Sequence, residues 1–503
     1  MNNKNTAVSF ENIPLQSWLR PALTPVLHNR DYERLLTDLK WLDETLRQTG
    51  MEELAVEFAL EGVAESTRAS ALRKKAEFAV YALRAELLRH TIGLPSFESF
   101  SVTLAGSDLL ADFCGCRTIA GIRWTSKSSL HRASLLFTDE QLRQLNVLLV
   151  ESAGNREFCP LLGLESQEDL SVCLVDSTCL PANIHFPVDW LLLRDVALTL
   201  LKAVTLIRQE GLLKRMPEGP ETLARQMNKL CIEMTHSRRK AGSKKARKSV
   251  LRRMKKLLRR IGEHARRHRD LLDERFGQTP LSRAQVDRIL SRMDEKLDLL
   301  PKVIDQAHER IIGGRQVNNE DKILSAHEAD IDVIVRGKAG AQTEFGNELF
   351  LAENPGGLIV DYMLYGKGAP SESQKMLESI DRQHALDVEV RLQALVADRG
   401  FDAKRPIARM EKQGVRSHIC PKNPDRLAQR LKEPEFRQWQ ARRGSTEARV
   451  AILKNHGGGR VWRNKGLKNR RLAVGWSVLA HNLTLIGRKV REQEIEAPPK
   501  EAA

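Results

Sequence analysis

The sequence predicts a mixed α/β protein whose sheet is interrupted once by a long helical segment and is preceded by a helical N-terminal region. Three observations lead to this prediction. Apolar residues recur at helical spacing from about residue 30 to 92, short β-rich runs follow residue 170, and a helical stretch from 189 to about 312 separates the first β run from the others. At 503 residues the chain is long enough for two to four domains.

The N-terminal region, residues 1–160, is predicted to be a helical DNA-binding domain. Leu35, Leu39, Leu42 and Leu46 mark the clearest helical stripe. Residues 107–137 contain a Ser-Asp helix start, a break with glycine, and a second helix start at Thr125 or Ser126, which is typical of a helix-turn-helix. Ordinary core packing of two amphipathic helices explains the same pattern.

Six runs after residue 170 are predicted to be strands, at residues 170–180, 331–337, 343–353, 357–366, 392–398 and 416–422. Asn354-Pro355-Gly356-Gly357 predicts a hairpin between the third and fourth runs. The inserted helical segment is predicted over about 190–320, the last helix over 476–489, and a disordered tail over 491–503.

The charge pattern indicates a polyanionic partner, since the formal net charge is +16. Residues 238–270 hold sixteen Lys and Arg against two acids, and an apolar stripe within them predicts an amphipathic helix. Double-stranded DNA is the favoured partner, with backbone contacts from Arg252, Arg253, Lys255 and Lys256. Lys127 and Arg132 would meet DNA from the helix-turn-helix. An acidic membrane surface and RNA are the alternatives.

The sequence also limits the compartment. The seven cysteines show no paired zinc-type spacing, and no segment resembles a signal peptide or a membrane span. These features predict a soluble cytoplasmic protein that does not associate with a membrane.

Three acids occupy the predicted ends of separate elements: Asp176 and Asp398 at strand ends and Glu447 in the first turn of a helix. Carboxylates that converge from rigid elements are the ligands that Mg²⁺ prefers, and two such ions can hold both oxygens of a phosphoryl displacement. Each acid also has a simpler explanation. Asp398 fits a turn, Asp176 fits a strand-end hydrogen bond, and Glu447 fits a helix N-terminal acid worth about 0.3–1 kcal/mol.

With these motifs the chain resembles the DDE transposases of bacterial insertion sequences. The matching stretches are VDSTCLPANIHFPVD around Asp176, VADRGF around Asp398, and the spacing Arg-x3-Glu-x6-Lys formed by Arg443, Glu447 and Lys454. Gln440 stands where that family has a tyrosine. The resemblance covers about residues 170–489 and implies an RNase H-like core with a mixed five-stranded sheet, within a catalytic domain at 166–490.

The resemblance further implies cut-and-paste transposition by a homodimer on DNA. Two Mg²⁺ ions, replaceable by Mn²⁺, would be held by Asp176, Asp398 and Glu447. Arg443 and Lys454 would contact DNA phosphates. Two alternatives stay open: an RNase H-fold nuclease without strand transfer, and a DNA-binding protein without catalytic activity.

Overall fold

The computed structural model of the chain describes residues 29–64, 66–94, 96–237, 243–338, 341–456 and 464–496. It confirms a mixed α/β protein. The chain forms two compact units, which we call the core unit (residues 1–181, 347–365 and 369–503) and the insertion unit (residues 182–346 and 366–368). Across the described ranges, no helix has both the length and the apolar character needed to cross a bilayer.

The N-terminal part of the core unit is helical, as predicted. Leu39, Leu42 and Leu46 are buried on one side of the first helix. Side-chain caps begin several of the helices, including a reciprocal pair between Thr138 and Gln141. The helices are α1 Arg30–Gln48, α2 Met51–Leu60, α3 Ala69–Thr91, α4 Phe97–Ala105, α5 Asp108–Phe113, α6 Lys127–Ser134 and α7 Asp139–Gly154.

The predicted helix-turn-helix has its two helices but not its short turn. Ser107 and Ser126 cap α5 and α6, as the sequence indicates. Between them lies a small antiparallel hairpin, β1 (Arg117–Thr118) and β2 (Gly121–Ile122). Gly121 has a φ of 115°, a conformation that favours glycine, and this residue begins the second strand of the hairpin.

All six predicted strands are present in one mixed sheet. They are β3 Val172–Pro181, β4 Asp332–Lys338, β5 Ala341–Glu353, β6 Ile359–Leu364, β7 Ala394–Ala397 and β8 Arg416–Ile419. The order is β4-β5-β3-β7-β8, and β6 also pairs with β5. Strands β7 and β8 run parallel to β3, whereas β4 and β6 are antiparallel to β5. The sheet therefore has one strand more than the five-stranded sheet that the resemblance implied.

Five helices complete the core unit: α12 Glu372–His384, α13 Lys404–Lys412, α14 Pro424–Arg430, α15 Pro434–His456 and α16 Leu467–Glu496. The predicted tail is wrong for residues 491–496, which continue α16, and residues 497–503 lie outside the described ranges. The N-terminal helices share a hydrophobic core with strands β3 and β7 and with α12. The predicted domain boundary near residue 160 therefore falls inside this unit.

The insertion unit is built mainly of four helices: α8 Asp189–Gln209, α9 Pro220–Ser237, α10 Ser243–Arg275 and α11 Arg283–Ala307. The amphipathic prediction for the basic segment is confirmed over the described residues of α10. Its apolar stripe is buried against the other helices of the unit, and it consists of Val250, Leu251, Met254, Leu257, Leu258 and Ile261. Residues 238–242 of the basic segment lie outside the described ranges.

Candidate metal centre

The sheet brings two of the three predicted acids side by side. Strands β3 and β7 are parallel, and their register runs from Val172 opposite Ala394 to Leu174 opposite Val396. The paired residues end at Leu174 and Val396, and the same offset carried two residues further would set Asp176 opposite Asp398, the residue that follows β7. Neighbouring strands lie about 4.8 Å apart, so the two backbones approach each other closely at this level.

Both aspartates belong to the same face of the sheet. Val175 and Ala397, the residues before them, are buried in the core shared with the N-terminal helices and α12. Because successive side chains of a strand point to opposite faces, Asp176 and Asp398 belong to the other face. Leu180 lies on that face of β3 and packs in a cluster with residues of α15 and α16. The acids therefore lie on the side of the sheet covered by α15.

Each aspartate binds a backbone amide nearby. The Asp176 Oδ1 accepts from the Ser177 N–H at 2.8 Å, and the Asp398 Oδ1 accepts from the Gly400 N–H at 2.8 Å. Asp398 thus also has the turn role that we considered as its simpler explanation. The prediction that Asp176 ends its strand is wrong, because β3 continues to Pro181.

Helix α15 contacts the end of β7 and the second half of β3. Near its start, Gln440 Nε2 donates to the carbonyl oxygens of Ala397 at 3.2 Å and His418 at 2.6 Å. Further along, Lys454 Nζ donates to Thr178 Oγ1 at 2.7 Å. Gln440 therefore contacts the residue before Asp398, and Lys454 contacts the residue two places after Asp176, on the same face of β3.

Glu447 lies midway between these two anchors. It lies seven positions from each of them in the sequence, so all three side chains share one stripe of the helix, at steps of about 10 Å along the axis. The first-turn prediction is wrong, since Glu447 occupies the middle of α15. Glu447 is therefore not a helix N-terminal acid stabilised by the helix dipole. Glu447 is exposed and, among the described residues, forms no hydrogen bond or ion pair.

A buried ion pair fixes α15 to the end of β5. Glu353, only 1 % exposed, accepts from Thr446 Oγ1 at 2.8 Å and from Arg449 Nε at 3.0 Å. Arg442 adds a hydrogen bond to the carbonyl oxygen of Pro355 in the following turn. The residues on both sides of Glu447 are thus held in place.

The three acids do not form a complete ligand set in this conformation. In the parts of the chain that the structure covers, no three His, Cys, Asp or Glu side chains gather at a common point. The adjacent aspartates suit a hard cation, because carboxylate oxygens are its preferred ligands. Glu447, exposed on the same helical stripe, would complete the set only after its side chain turns towards the strands.

The predicted DNA contacts of the core unit lie at two places. Arg443 is half-buried one turn before Glu447, and within the described residues its Nε has no hydrogen-bond acceptor. Lys127 and Arg132 are exposed on α6, where Lys127 lies 3.8 Å from Glu98 and Arg132 donates to Ser129 Oγ at 3.1 Å.

The predicted contacts of the insertion unit divide into two kinds. Arg252 and Lys256 are exposed on α10 and form no ion pair among the described residues. Arg253 instead pairs with Glu233, and Lys255 Nζ lies 2.8 Å from His308 Nδ1. Arg252 and Lys256 are therefore the members of this group best placed to meet a polyanion.

A charged cluster that no sequence motif indicated lies on the opposite face of β3. Ser177 Oγ donates to Glu372 Oε2 at 2.5 Å, and the buried Lys375 Nζ lies 2.5 Å from Glu348 and 3.4 Å from Glu372. Burial and the neighbouring Glu348 carboxyl raise the pKa of Glu372 to about 7. No spacing in the sequence indicated this cluster, because its members come from β3, β5 and α12.

Compared with models of protein families, with curated proteins and with solved structures, the chain shows no match.

Proposed function

We propose that the chain is a DDE transposase that cleaves DNA at transposon ends and transfers the freed strand to target DNA. The observation that supports this most strongly is the register that sets Asp176 beside Asp398 beneath the helix of Glu447. An RNase H-like core requires this arrangement: two acid-bearing strands next to each other and the helix of the third acid across them. The strand order β6-β5-β3-β7-β8 is consistent with such a core.

Asp176, Asp398 and Glu447 would hold two Mg²⁺ ions, which would supply Lewis-acid activation of water and of the 3′-hydroxyl group. The remaining roles belong to the chain itself. The hydrogen bonds of Gln440 hold α15 against the end of the Asp398 strand. Arg443 and Lys454, one and two turns from Glu447, supply positive charge for the phosphates of the reacting strand.

Double-stranded DNA is the proposed partner, and two sets of cations support this choice. Arg252 and Lys256 project from the basic helix of the insertion unit, and Lys127 and Arg132 project from α6 in the core unit. Lysine and arginine contacts to phosphates raise affinity without reading sequence. We propose a homodimer on DNA, since two transposon ends must be processed together, and a cytoplasmic location.

The test uses the purified chain, Mg²⁺ and DNA that carries the terminal inverted repeats flanking its own reading frame. Cleavage and joining are measured on gels. We expect Asp176→Asn, Asp398→Asn and Glu447→Gln each to abolish both reactions. Glu411→Gln, a change at an exposed glutamate of α13, is the matched control and should remain active.

The outcomes separate the alternatives. Cutting of any duplex without joining would indicate a nuclease of the same core. Salt-sensitive binding without cleavage, with either Mg²⁺ or Mn²⁺, would indicate a DNA-binding protein whose acids do not assemble. Full activity of the Asp176→Asn variant would refute the proposed centre.

A further inference from the structure

A polar cavity of about 600 Å³ lies in the insertion unit at the start of α8. Its chemistry is set by basic and aromatic side chains, and it plays no part in the proposed metal centre. The residues that matter here are Phe186, Asp189, Trp190, Arg247, Arg310 and Lys322.

The lining of this cavity carries more positive than negative charge. Among the described residues, four basic side chains line it, and Asp189 is the single acid. Asp189 is already engaged, since its Oδ1 accepts from Arg310 Nη1 at 2.8 Å and from Gln306 Nε2 at 3.0 Å. Arg315, another of the four, forms an ion pair with Glu309 at 2.5 Å.

The other two cations, Arg247 and Lys322, form no ion pair in the described part of the chain. Arg247 lies with its guanidinium carbon 5.8 Å from the centre of the Trp190 ring, and its Nε is buried without an acceptor. Burial and the nearby Arg310 lower the pKa of Lys322, and Asp189 opposes them only in part. The Arg247 Nε is a buried donor without an acceptor, and Lys322 lies close to the like charge of Arg310, so both arrangements cost free energy. A bound anion would accept the hydrogen bond and neutralise the repulsion.

Two further features of the site favour a phosphate that carries a planar group. Val188, Asp189 and Trp190 at the start of α8 line the cavity, so the positive end of a 21-residue helix faces it. Phe186 stands at the same site with 72 % of its surface exposed, and its ring meets Phe345 edge-on at 5.5 Å. An exposed aromatic ring beside cations is suited to stack on a nucleobase.

We propose that this cavity binds the phosphate group of a nucleotide through Arg247 and Lys322, with the base against Phe186. The nucleotide could belong to a DNA strand or be free in solution. The proposal rests on the proposed function only where it names a DNA strand as a source of the nucleotide. The recognition chemistry is the same for a nucleotide within DNA and for a free nucleotide.

The test measures binding to the full chain by isothermal titration calorimetry without divalent metal. The probes are thymidine monophosphate, inorganic phosphate and thymidine. We expect the nucleotide to bind more tightly than inorganic phosphate and thymidine not to bind. Arg247→Met and Lys322→Met should each weaken nucleotide binding by about tenfold, since each removes a charge-assisted contact. Phe186→Ala should weaken nucleotide binding but not phosphate binding.

The matched control is Arg288→Met, which removes an exposed arginine of α11 in the same unit. It should bind the nucleotide like the wild type. Equal binding by the wild type and by Lys322→Met, or no binding of nucleotide to the wild type, would overturn the proposal. Should Arg247→Met fail to fold, the Lys322→Met variant decides the matter alone, because Lys322 is only half-buried and makes no side-chain hydrogen bond among the described residues.

A competition experiment identifies the source. Displacement of the nucleotide by a single-stranded oligonucleotide indicates a DNA strand, and retention indicates a free nucleotide. Neither result depends on Asp176, Asp398 or Glu447. A chain that binds the nucleotide but does not cleave DNA would therefore reject the proposed function and leave this site standing.

Discussion

Replacing Arg449 by methionine should strongly destabilise the core unit, because it leaves the Glu353 carboxylate buried without its cation. Glu353 is 1 % exposed, the side chain of Arg449 is 16 % exposed, and the Nε–Oε2 distance is 3.0 Å. Breaking a buried pair by removing one partner costs about 3–5 kcal/mol. The hydroxyl of Thr446, which would remain on Glu353, offsets only about 0.5–1.5 kcal/mol of this.

The assay is urea denaturation of the full chain, with unfolding detected by tryptophan fluorescence. Trp476 is buried in the core unit and reports on it. The double variant Arg449→Met with Glu353→Gln should recover most of the loss, because no buried charge then remains unpaired. Arg437→Met, at an exposed position of the same helix, should change the free energy of unfolding by less than about 0.5 kcal/mol. A loss below about 1 kcal/mol for Arg449→Met would refute the claim that this pair fixes α15.

Three other outcomes follow from the same geometry. The wild-type core unit should lose stability as the pH rises from 4.5 to about 7, because in this range the folded protein keeps a proton on Glu372 that the unfolded chain has lost. Glu372→Gln should remove this loss. Gln440→Ala should lower the free energy of unfolding by about 1–3 kcal/mol, since two partly buried hydrogen bonds are lost at the end of the Asp398 strand, and under the proposed function it should also slow DNA cleavage. Replacing both Arg252 and Lys256 by glutamine should reduce the slope of log affinity for duplex DNA against log salt by about 2.

Each of these outcomes has its own check. Denaturation across pH 4 to 8 tests the first, and an unchanged profile in the Glu372→Gln variant would contradict it. Gln440→Glu tests the second, because a carboxylate cannot donate to the two carbonyl oxygens and should be at least as harmful as alanine. For the third, Arg253→Gln is the matched control, since Arg253 already pairs with Glu233 and should change the slope less.

Hydrophobic periodicity sufficed to locate most helices and all six strands of the sheet. Apolar runs such as Leu174 to Val175 and Leu395 to Ala397 are buried on both faces, so they stand out in the sequence as continuous β-rich segments. The boundaries were less well determined. The early start of α15 at Pro434, thirteen residues before Glu447, depends on packing partners far away in the chain.

The role of Gln440 shows the same limit at the site. In the sequence, Gln440 is only a departure from the transposase motif that the chain resembles. In the structure, its amide joins α15 to the ends of two strands. The cluster around Glu372 and Lys375 was likewise invisible, because a hydrogen bond between residues almost two hundred positions apart leaves no local pattern.

The sequence by itself determined the elements, the basic amphipathic helix and the identity of the three acids, because these depend on local periodicity and on residue type. Only the tertiary structure decided that β3 and β7 are parallel neighbours, in a register that assigns Asp176 and Asp398 to one face, and that Glu447 lies mid-helix between two anchors. The physical reason is that strand register and helix docking are set by hydrogen bonds and burial between distant segments, and a one-residue slip would have turned either aspartate to the opposite face.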